Sequence, residues 1–275
     1  MNGPAGAQGE GLVMVVRNCR EVKVRSVRFL GSWDAPSDFV ELSLENPGWE
    51  AYKPGQFAML RPKHWGQELP WGRPFSICRA DAETLTVFFQ VVGRGTGRLS
   101  RLNPDDVVIV WGPLGNGFSA LAQTPTLLLA GGMGIAPFRG FIERHPEPQN
   151  LRLLFAHRAE LGCYPYLDMA SHIKAEAVQE KSPEDLPMII ERITGAMDAI
   201  NAAGNGMVLA CGPTPFLKTV QEHAKLKKIR AELSLEKTMA CGVGACLGCV
   251  CQNAEGRHVQ VCARGPVFNA QDVRI

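Results

Sequence analysis

The sequence predicts a multidomain β plus α/β chain: an antiparallel β-barrel, then a doubly wound α/β domain, then a small cysteine-rich C-terminal module. Three observations predict it. Short strand-like segments separated by Pro and Gly turns occupy roughly the first 118 of 275 residues. Continuous apolar runs follow, the first leading straight into a glycine-rich turn and a helix-like stretch. Five of the nine cysteines lie beyond residue 240. We expect boundaries at 1–118, 119–232 and 233–275; the chain is long enough for two cored domains and a stapled module.

The barrel segments are Phe39-Val40-Glu41-Leu42-Ser43-Leu44, Gln56-Phe57-Ala58-Met59-Leu60, the run 85–92 and Val107-Val108-Ile109-Val110. Pro54-Gly55, Asn103-Pro104 and Gly112-Pro113 punctuate them. Residues 1–11, rich in Gly and Ala, have little to bury and are expected to be frayed or loosely docked. Within this region Arg73-Pro74-Phe75-Ser76-Ile77 joins a planar cation, a rigid turn and a hydroxyl at a strand start. A guanidinium fork can pair with a pyrophosphate, and a serine hydroxyl can hydrogen-bond a flavin ring edge. An ordinary strand after a turn can carry the same residues. Gly93-Arg94-Gly95-Thr96, with a helix start expected at Gly97-Arg98-Leu99, reads either as a second anion cradle or as a plain turn.

In the middle of the chain Pro125-Thr126-Leu127-Leu128-Leu129-Ala130 has the character of a buried parallel strand, as do 151–156 and 207–210. Gly131-Gly132-Met133-Gly134-Ile135-Ala136-Pro137 then sits at the carboxyl edge, where open α/β sheets bind ligands, and a pyrophosphate would lie against the amides of Gly131, Gly132 and Gly134. Close strand–helix packing also demands glycine. Cys211-Gly212-Pro213 ends another run at the same edge, so Cys211 either faces a nicotinamide or is a buried strand thiol. Arg158, after the 151–156 strand, either meets a 2′-phosphate or is a surface arginine. Lys225-Leu226-Lys227-Lys228-Ile229-Arg230 reads as a solvated helix end.

Cys241, Cys246, Cys249 and Cys262 spell C-x4-C-x2-C with a fourth thiolate after twelve intervening residues, the ligand spacing of a plant-type 2Fe-2S cluster. Gly242, Gly244 and Gly248 free the loop to adopt positive φ and bring amides toward sulfur. Structural zinc is the alternative, but its knuckles usually come as two C-x2-C pairs and one clear pair exists here. Cys251 competes with Cys249 for the third ligand; spacing favours Cys249, and Cys251 then becomes a small buried strand residue. Cys19, Cys78, Cys163 and Cys211 are expected to be reduced thiols. An odd cysteine total and no signal-like opening stretch argue against a disulfide framework and for a cytoplasmic protein.

A net charge of +2 leaves no footprint for nucleic acid or an anionic membrane. The longest uncharged stretch, 119–138, is broken by Pro125, Gly131, Gly132, Gly134 and Pro137 and is no membrane span.

Together these motifs resemble the ferredoxin-reductase-like flavoproteins, and within them the electron-transfer subunit of NAD-dependent dihydroorotate dehydrogenase. The resemblance rests on Pro54-Gly55-Gln56-Phe57, Arg73-Pro74-Phe75-Ser76-Ile77, Gly95-Thr96, Gly112-Pro113-Leu114-Gly115-Asn116-Gly117-Phe118, the 131–137 turn and Cys211-Gly212-Pro213. In the tail it rests on Met239-Ala240-Cys241-Gly242-Val243-Gly244-Ala245-Cys246 and Val261-Cys262-Ala263-Arg264-Gly265-Pro266-Val267-Phe268. It implies FAD held by Arg73, Pro74, Phe75 and Ser76, by the strand around Gln90, Val91 and Val92, and by Gly95 and Thr96. It also implies NAD at Gly131, Gly132, Gly134, Cys211 and Gly212, and a cluster on Cys241, Cys246, Cys249 and Cys262. No residue is suited to oxidise dihydroorotate. The resemblance therefore implies an FMN-containing catalytic partner in a hetero-oligomer, by family a heterotetramer, serving pyrimidine biosynthesis. The alternative is the equivalent subunit of a sulfhydrogenase or ferredoxin:NADP oxidoreductase complex. The pattern departs from the family at 171–205, where a short strand ending in an acidic-glycine turn is expected and a charged stretch with Pro183 and Pro187 stands instead.

Overall fold

The computed structural model describes residues 18–31, 37–119 and 122–275. The expectation for residues 1–11 lies outside them.

Six strands close an antiparallel barrel: β1 (Asn18–Leu30), β2 (Phe39–Glu45), β3 (Phe57–Pro62), β4 (Arg73–Ala80), β5 (Thr84–Gln90) and β6 (Val107–Leu114), in the order β1-β2-β5-β4-β3-β6. A short helix, α1 (Arg94–Leu99), follows β5. Alternation along the strands turns Leu42, Leu60, Ile77, Val87 and Val110 into the barrel interior, where each is fully buried. Closure leaves no free edge in the barrel. Two expected boundaries are corrected. Gly112-Pro113 does not end a strand: both residues lie inside β6, whose Gly112 pairs with Asn18 of β1 and whose Leu114 pairs with Phe57 of β3. The run expected through residue 92 stops as β5 at Gln90, where the chain turns toward α1.

The second unit is a six-stranded sheet. Its parallel strands are β7 (Thr126–Gly131), β8 (Leu151–His157), β9 (Lys174–Gln179), β10 (Met207–Cys211) and β11 (Ala231–Ser234), and the order is β14-β11-β10-β7-β8-β9 with β14 (Val267–Asn269) antiparallel at one edge. Helices α2 (Ala136–Arg144), α3 (Tyr166–Ala170), α4 (Leu186–Ala202) and α5 (Thr214–Lys227) connect the strands. Every residue of β7 and β10 is buried, as the unbroken apolar runs require of strands covered on both faces. Ile189, Ile193, Met197 and Ile200 form one apolar stripe of α4 against that sheet. The α5 helix ends where Lys228 takes φ 54° and Ile229 N–H returns to Ala224 O at 2.9 Å, so the lysine-rich run is indeed a solvated helix end. The charged 171–205 stretch does contain a strand, β9, which is followed by Glu180 and then α4.

The tail adds β12 (Val250–Asn253), β13 (His258–Gln260), α6 (Val261–Arg264) and β15 (Val273–Arg274); β13-β12-β15 form a small sheet. A cut at 232/233 divides β11, and β14 from the tail completes the larger sheet, so sheet and tail share structure across that position. Asn116 fastens barrel to tail: its Nδ2 donates to Val267 O at 2.8 Å and Arg264 O at 3.2 Å, while Val267 N–H donates to its Oδ1 at 3.1 Å. Apolar clusters cross the same seams. Phe57, Met59 and Leu114 of the barrel pack with Leu233 of β11 and with Cys249 and Cys262 of the tail. Arg139 of α2 ties sheet to barrel through Glu41 at 2.7 Å and also meets Asp168 at 3.0 Å. Among the described residues no helix is long and apolar enough to cross a membrane.

Candidate redox centre

Two of the cavities that open between the units take up residues predicted to bind cofactors. The smaller, about 320 Å³, lies between β4, the end of β5 and the stretch that follows β11. Pro74, Phe75, Ser76, Gln90, Val92 and Thr96, all predicted to touch flavin, line it. Arg73 stands at its flank. Its Nη1 donates to Trp71 O at 2.8 Å, its guanidinium lies 5.6 Å from the Trp65 ring centroid, and a Cβ on Gly95 would come within 2.6 Å of its Nε. Glycine at 95 thus allows the cation to rest on the α1 turn, bringing together two predicted anion contacts that are 22 positions apart in sequence. The helix begins at Arg94 rather than Gly97. Thr96 spends its hydroxyl on its own turn, accepting the Val92 and Gly93 amides at 2.9 and 3.2 Å. Gln90 and Val92 line the cavity, and the intervening Val91 packs its side chain on the barrel core.

The larger cavity, about 700 Å³, runs along the carboxyl edge of β7, β8 and β10, where Gly131, Gly132, Arg158, Glu180 and Pro213 line it. Gly132 takes φ 52° with open space where a Cβ would stand, which suits close approach of a ligand. Gly134 has a different reason to be glycine: a Cβ there would overlap the Cys211 carbonyl oxygen. Gly131 and Gly212 likewise serve packing, since a Cβ on either would press on the Phe216 ring, and the Gly212 Cβ would come 3.0 Å from Gly131 Cα. Cys211 lines the smaller cavity, and burial pushes its thiol pKa well up, so it is a neutral wall atom. Gln90 and Met133 line both cavities, which therefore share a wall.

Ser234 and Glu236, which belong to no sequence motif, also line the smaller cavity, as do Met239 and Pro266 from the tail motifs, to which the sequence assigns no flavin contact. Glu236 reaches solvent as a residue, yet burial of its carboxyl raises its pKa. The available signal was adjacency: 235–239 runs into Cys241, so the cavity wall is the start of the cysteine loop.

That loop is built of amides facing sulfur. Val243 and Cys246 N–H donate to Cys241 Sγ at 3.4 and 3.5 Å, Gly244 N–H to Cys262 Sγ at 3.1 Å, and Cys262 N–H to Cys249 Sγ at 3.4 Å. Although burial opposes it, the amides at Cys241 bring that thiol down to about 6, while burial and Cys249 push Cys262 up to about 12. These amides join Cys246 to Cys241 and Cys262 to Cys249, giving two cysteine pairs. Two cysteine pairs fit a two-iron cluster, which shares four thiolates between two irons. Gly242 and Gly244 adopt φ 71° and 83° as expected; Gly248 does not, and Leu247 takes φ 57° in its place. Trp111 of β6 donates Nε1–H to Cys241 O at 3.1 Å, fixing the loop to the barrel. Cys251 lies buried in β12 with its thiol pKa raised by burial.

The family description "iron-sulfur cluster binding domain of dihydroorotate dehydrogenase B" matches residues 236–274. A dihydroorotate dehydrogenase B (NAD+) electron transfer subunit from Caldanaerobacter subterraneus subsp. tengcongensis is 31% identical over 253 residues, with 90% of this chain and 96% of that protein covered. The chain belongs to this family. Its counterpart from Clostridium acetobutylicum is 33% identical over 224 residues, covering 78% of this chain and 84% of that one. The fold is also that of more distant solved structures. A solved structure of the NADH-dependent reduced ferredoxin-NADP oxidoreductase, described in connection with flavin-based electron bifurcation, superposes with a TM-score of 0.76 at 21% identity, covering 92% of this chain and 89% of that chain. A ferredoxin-NADP+ reductase from Plasmodium falciparum gives 0.62 at 18% identity, over 81% of this chain and 98% of its own.

Proposed function

We propose that this chain is the electron-transfer subunit of a dihydroorotate-oxidising complex, carrying electrons between an FMN-bearing catalytic partner and NAD through a 2Fe-2S cluster and FAD. One observation carries the reading: the wall of the smaller cavity continues as the cysteine loop, with Glu236 and Met239 entering it and Pro266 leaving it. When bound, FAD supplies the exchange between two-electron hydride chemistry and the one-electron chemistry of an iron-sulfur cluster.

The chain's own contribution is placement. Arg73, propped on Trp65 and Gly95, offers its guanidinium to a pyrophosphate at the mouth of the smaller cavity. Phe75, Phe88 and Phe89 give that cavity apolar walls that exclude water, and Ser76 and Gln90 supply polar atoms that orient a flat ring system. We assign Gly131, Gly132 and the β8 and β9 ends to NAD, whose reactive end would meet the shared wall at Gln90 and Met133. Cys241, Cys246, Cys249 and Cys262 are the proposed ligands, held by the amides that face them. Barrel, sheet and tail thereby take the flavin, nucleotide and cluster roles. Oxidation of dihydroorotate is assigned to the partner, as befits a chain whose relatives are named electron transfer subunits. The exposed side of the loop, Cys246 with Val243 and Leu247, is where electrons would cross. A cytoplasmic setting keeps such thiolates reduced.

The test is division of labour. Loaded with FAD and cluster, the purified chain should pass electrons from NADH to an artificial acceptor and leave dihydroorotate untouched until the FMN-bearing partner is added. Dihydroorotate oxidation by the single chain would overturn the assignment.

A further inference from the structure

The larger cavity ends on a pair of opposite charges, and their arrangement bears on which dinucleotide it takes. We propose that Glu180 selects NAD over NADP, by occupying the Arg158 guanidinium and standing where a 2′-phosphate would need to bind. This deepens the reading above and rests on that cavity being the nucleotide site.

Arg158 follows β8 directly, and Glu180 follows β9 directly; both line the large cavity and the adjoining hollow of about 580 Å³. In an open α/β sheet the strand beside the glycine-turn strand ends near the ribose that carries the 2′ substituent. An acid there accepts the 2′-hydroxyl, and an arginine there pairs with a 2′-phosphate. Here β8 is that strand, since it pairs with β7, and the next residue is arginine. Taken alone, Arg158 would favour the phosphorylated dinucleotide.

Glu180 reverses the balance. Arg158 Nη2 donates to its Oε1 at 2.8 Å. The acid is the fixed member of the pair: its side chain is 19% exposed against 78% for Arg158, and its N–H donates to His157 O at 2.8 Å. Gln179 Nε2 donates to Arg158 O at 3.0 Å, which holds the two strand ends together. The neighbouring turn brings Lys181 but also Asp185, whose Oδ2 accepts the Lys181 and Ser182 amides at 2.8 and 3.0 Å. The wall thus carries Arg158, Lys181 and Glu180, while Asp185 stands behind it on the turn amides. A dianionic phosphate would meet an arginine already paired and a carboxylate close by, whereas a 2′-hydroxyl could donate to Glu180.

Calorimetric titration of the FAD- and cluster-loaded chain with ADP-ribose and with 2′-phospho-ADP-ribose tests this, because neither ligand carries a nicotinamide or can react. The wild type should bind ADP-ribose at least about tenfold more tightly. Glu180→Gln keeps the size and an acceptor oxygen while removing the charge. It should cut that ratio by about tenfold or invert it. In Arg158→Ala/Glu180→Gln the gain for the phosphorylated ligand should vanish, and an unchanged flavin spectrum in each variant reports an intact fold. A wild type without preference, or a Glu180→Gln variant with the wild-type ratio, would refute the role of Glu180 while leaving the site in place. Failure of both ligands to bind the wild type would instead remove the nucleotide site, and the proposal with it.

Discussion

Cys249 and Cys251 are separated by one residue, and their surroundings differ. The first receives the Cys262 N–H at 3.4 Å; the second lies buried in β12 with its thiol pKa raised by burial. Cys249→Ser should therefore lose or strongly alter the 2Fe-2S absorption and circular dichroism spectrum, and Cys251→Ser should keep it. The reverse pattern would move the third ligand to Cys251. Ligand spacing is local, so the sequence alone could single out the cysteines for this test. Side-chain direction could not be read there: Thr96 turns its hydroxyl back on its own amides and Val91 packs against the barrel core, which follows from where β5 ends and the chain turns.

At the scale of elements, the strand-to-helix turn after β7 and the end of β10 hold each other. Gly134 lies so close to the Cys211 carbonyl that no side chain fits, and Gly131 and Gly212 meet across the same gap. Gly134→Ala should cost on the order of 3 kcal/mol, the upper end of what overpacking does, because the opposing atoms are backbone and cannot rotate away. Thermal unfolding gives the stability loss, and nucleotide titration should show weakened binding as the turn moves; a melting point within experimental error of wild type would refute the packing role. The sequence announced a glycine-rich turn here but could not say which glycine serves ligand approach and which serves packing. Only the register of β7 against β10 separates them: Gly132 faces open space and Gly134 faces backbone. Gly112-Pro113 misled for a similar reason. A Gly-Pro pair reads as a turn locally, but pairing with β1 and β3 on either side carries β6 straight through it.

Across the whole molecule, barrel, sheet and tail meet around two adjoining cavities, the basis of the proposed route. The two cavities share Gln90 and Met133, and the smaller one is walled by the chain that becomes the cysteine loop. The three-part order of the fold could be read from alternating segments, buried runs and clustered cysteines. Its joints could not, since β14 returning to the sheet, Asn116 clamping residues 264–267 and Trp111 holding Cys241 are contacts between residues more than 30 positions apart. The measurement that bears most directly on the route is dihydroorotate-driven NAD reduction by the assembled complex carrying Cys249→Ser in this chain, alongside NADH oxidation with an artificial acceptor that draws on FAD. The account predicts that coupled NAD reduction drops to background while the acceptor reaction continues. Coupled turnover that survives loss of the cluster would contradict it.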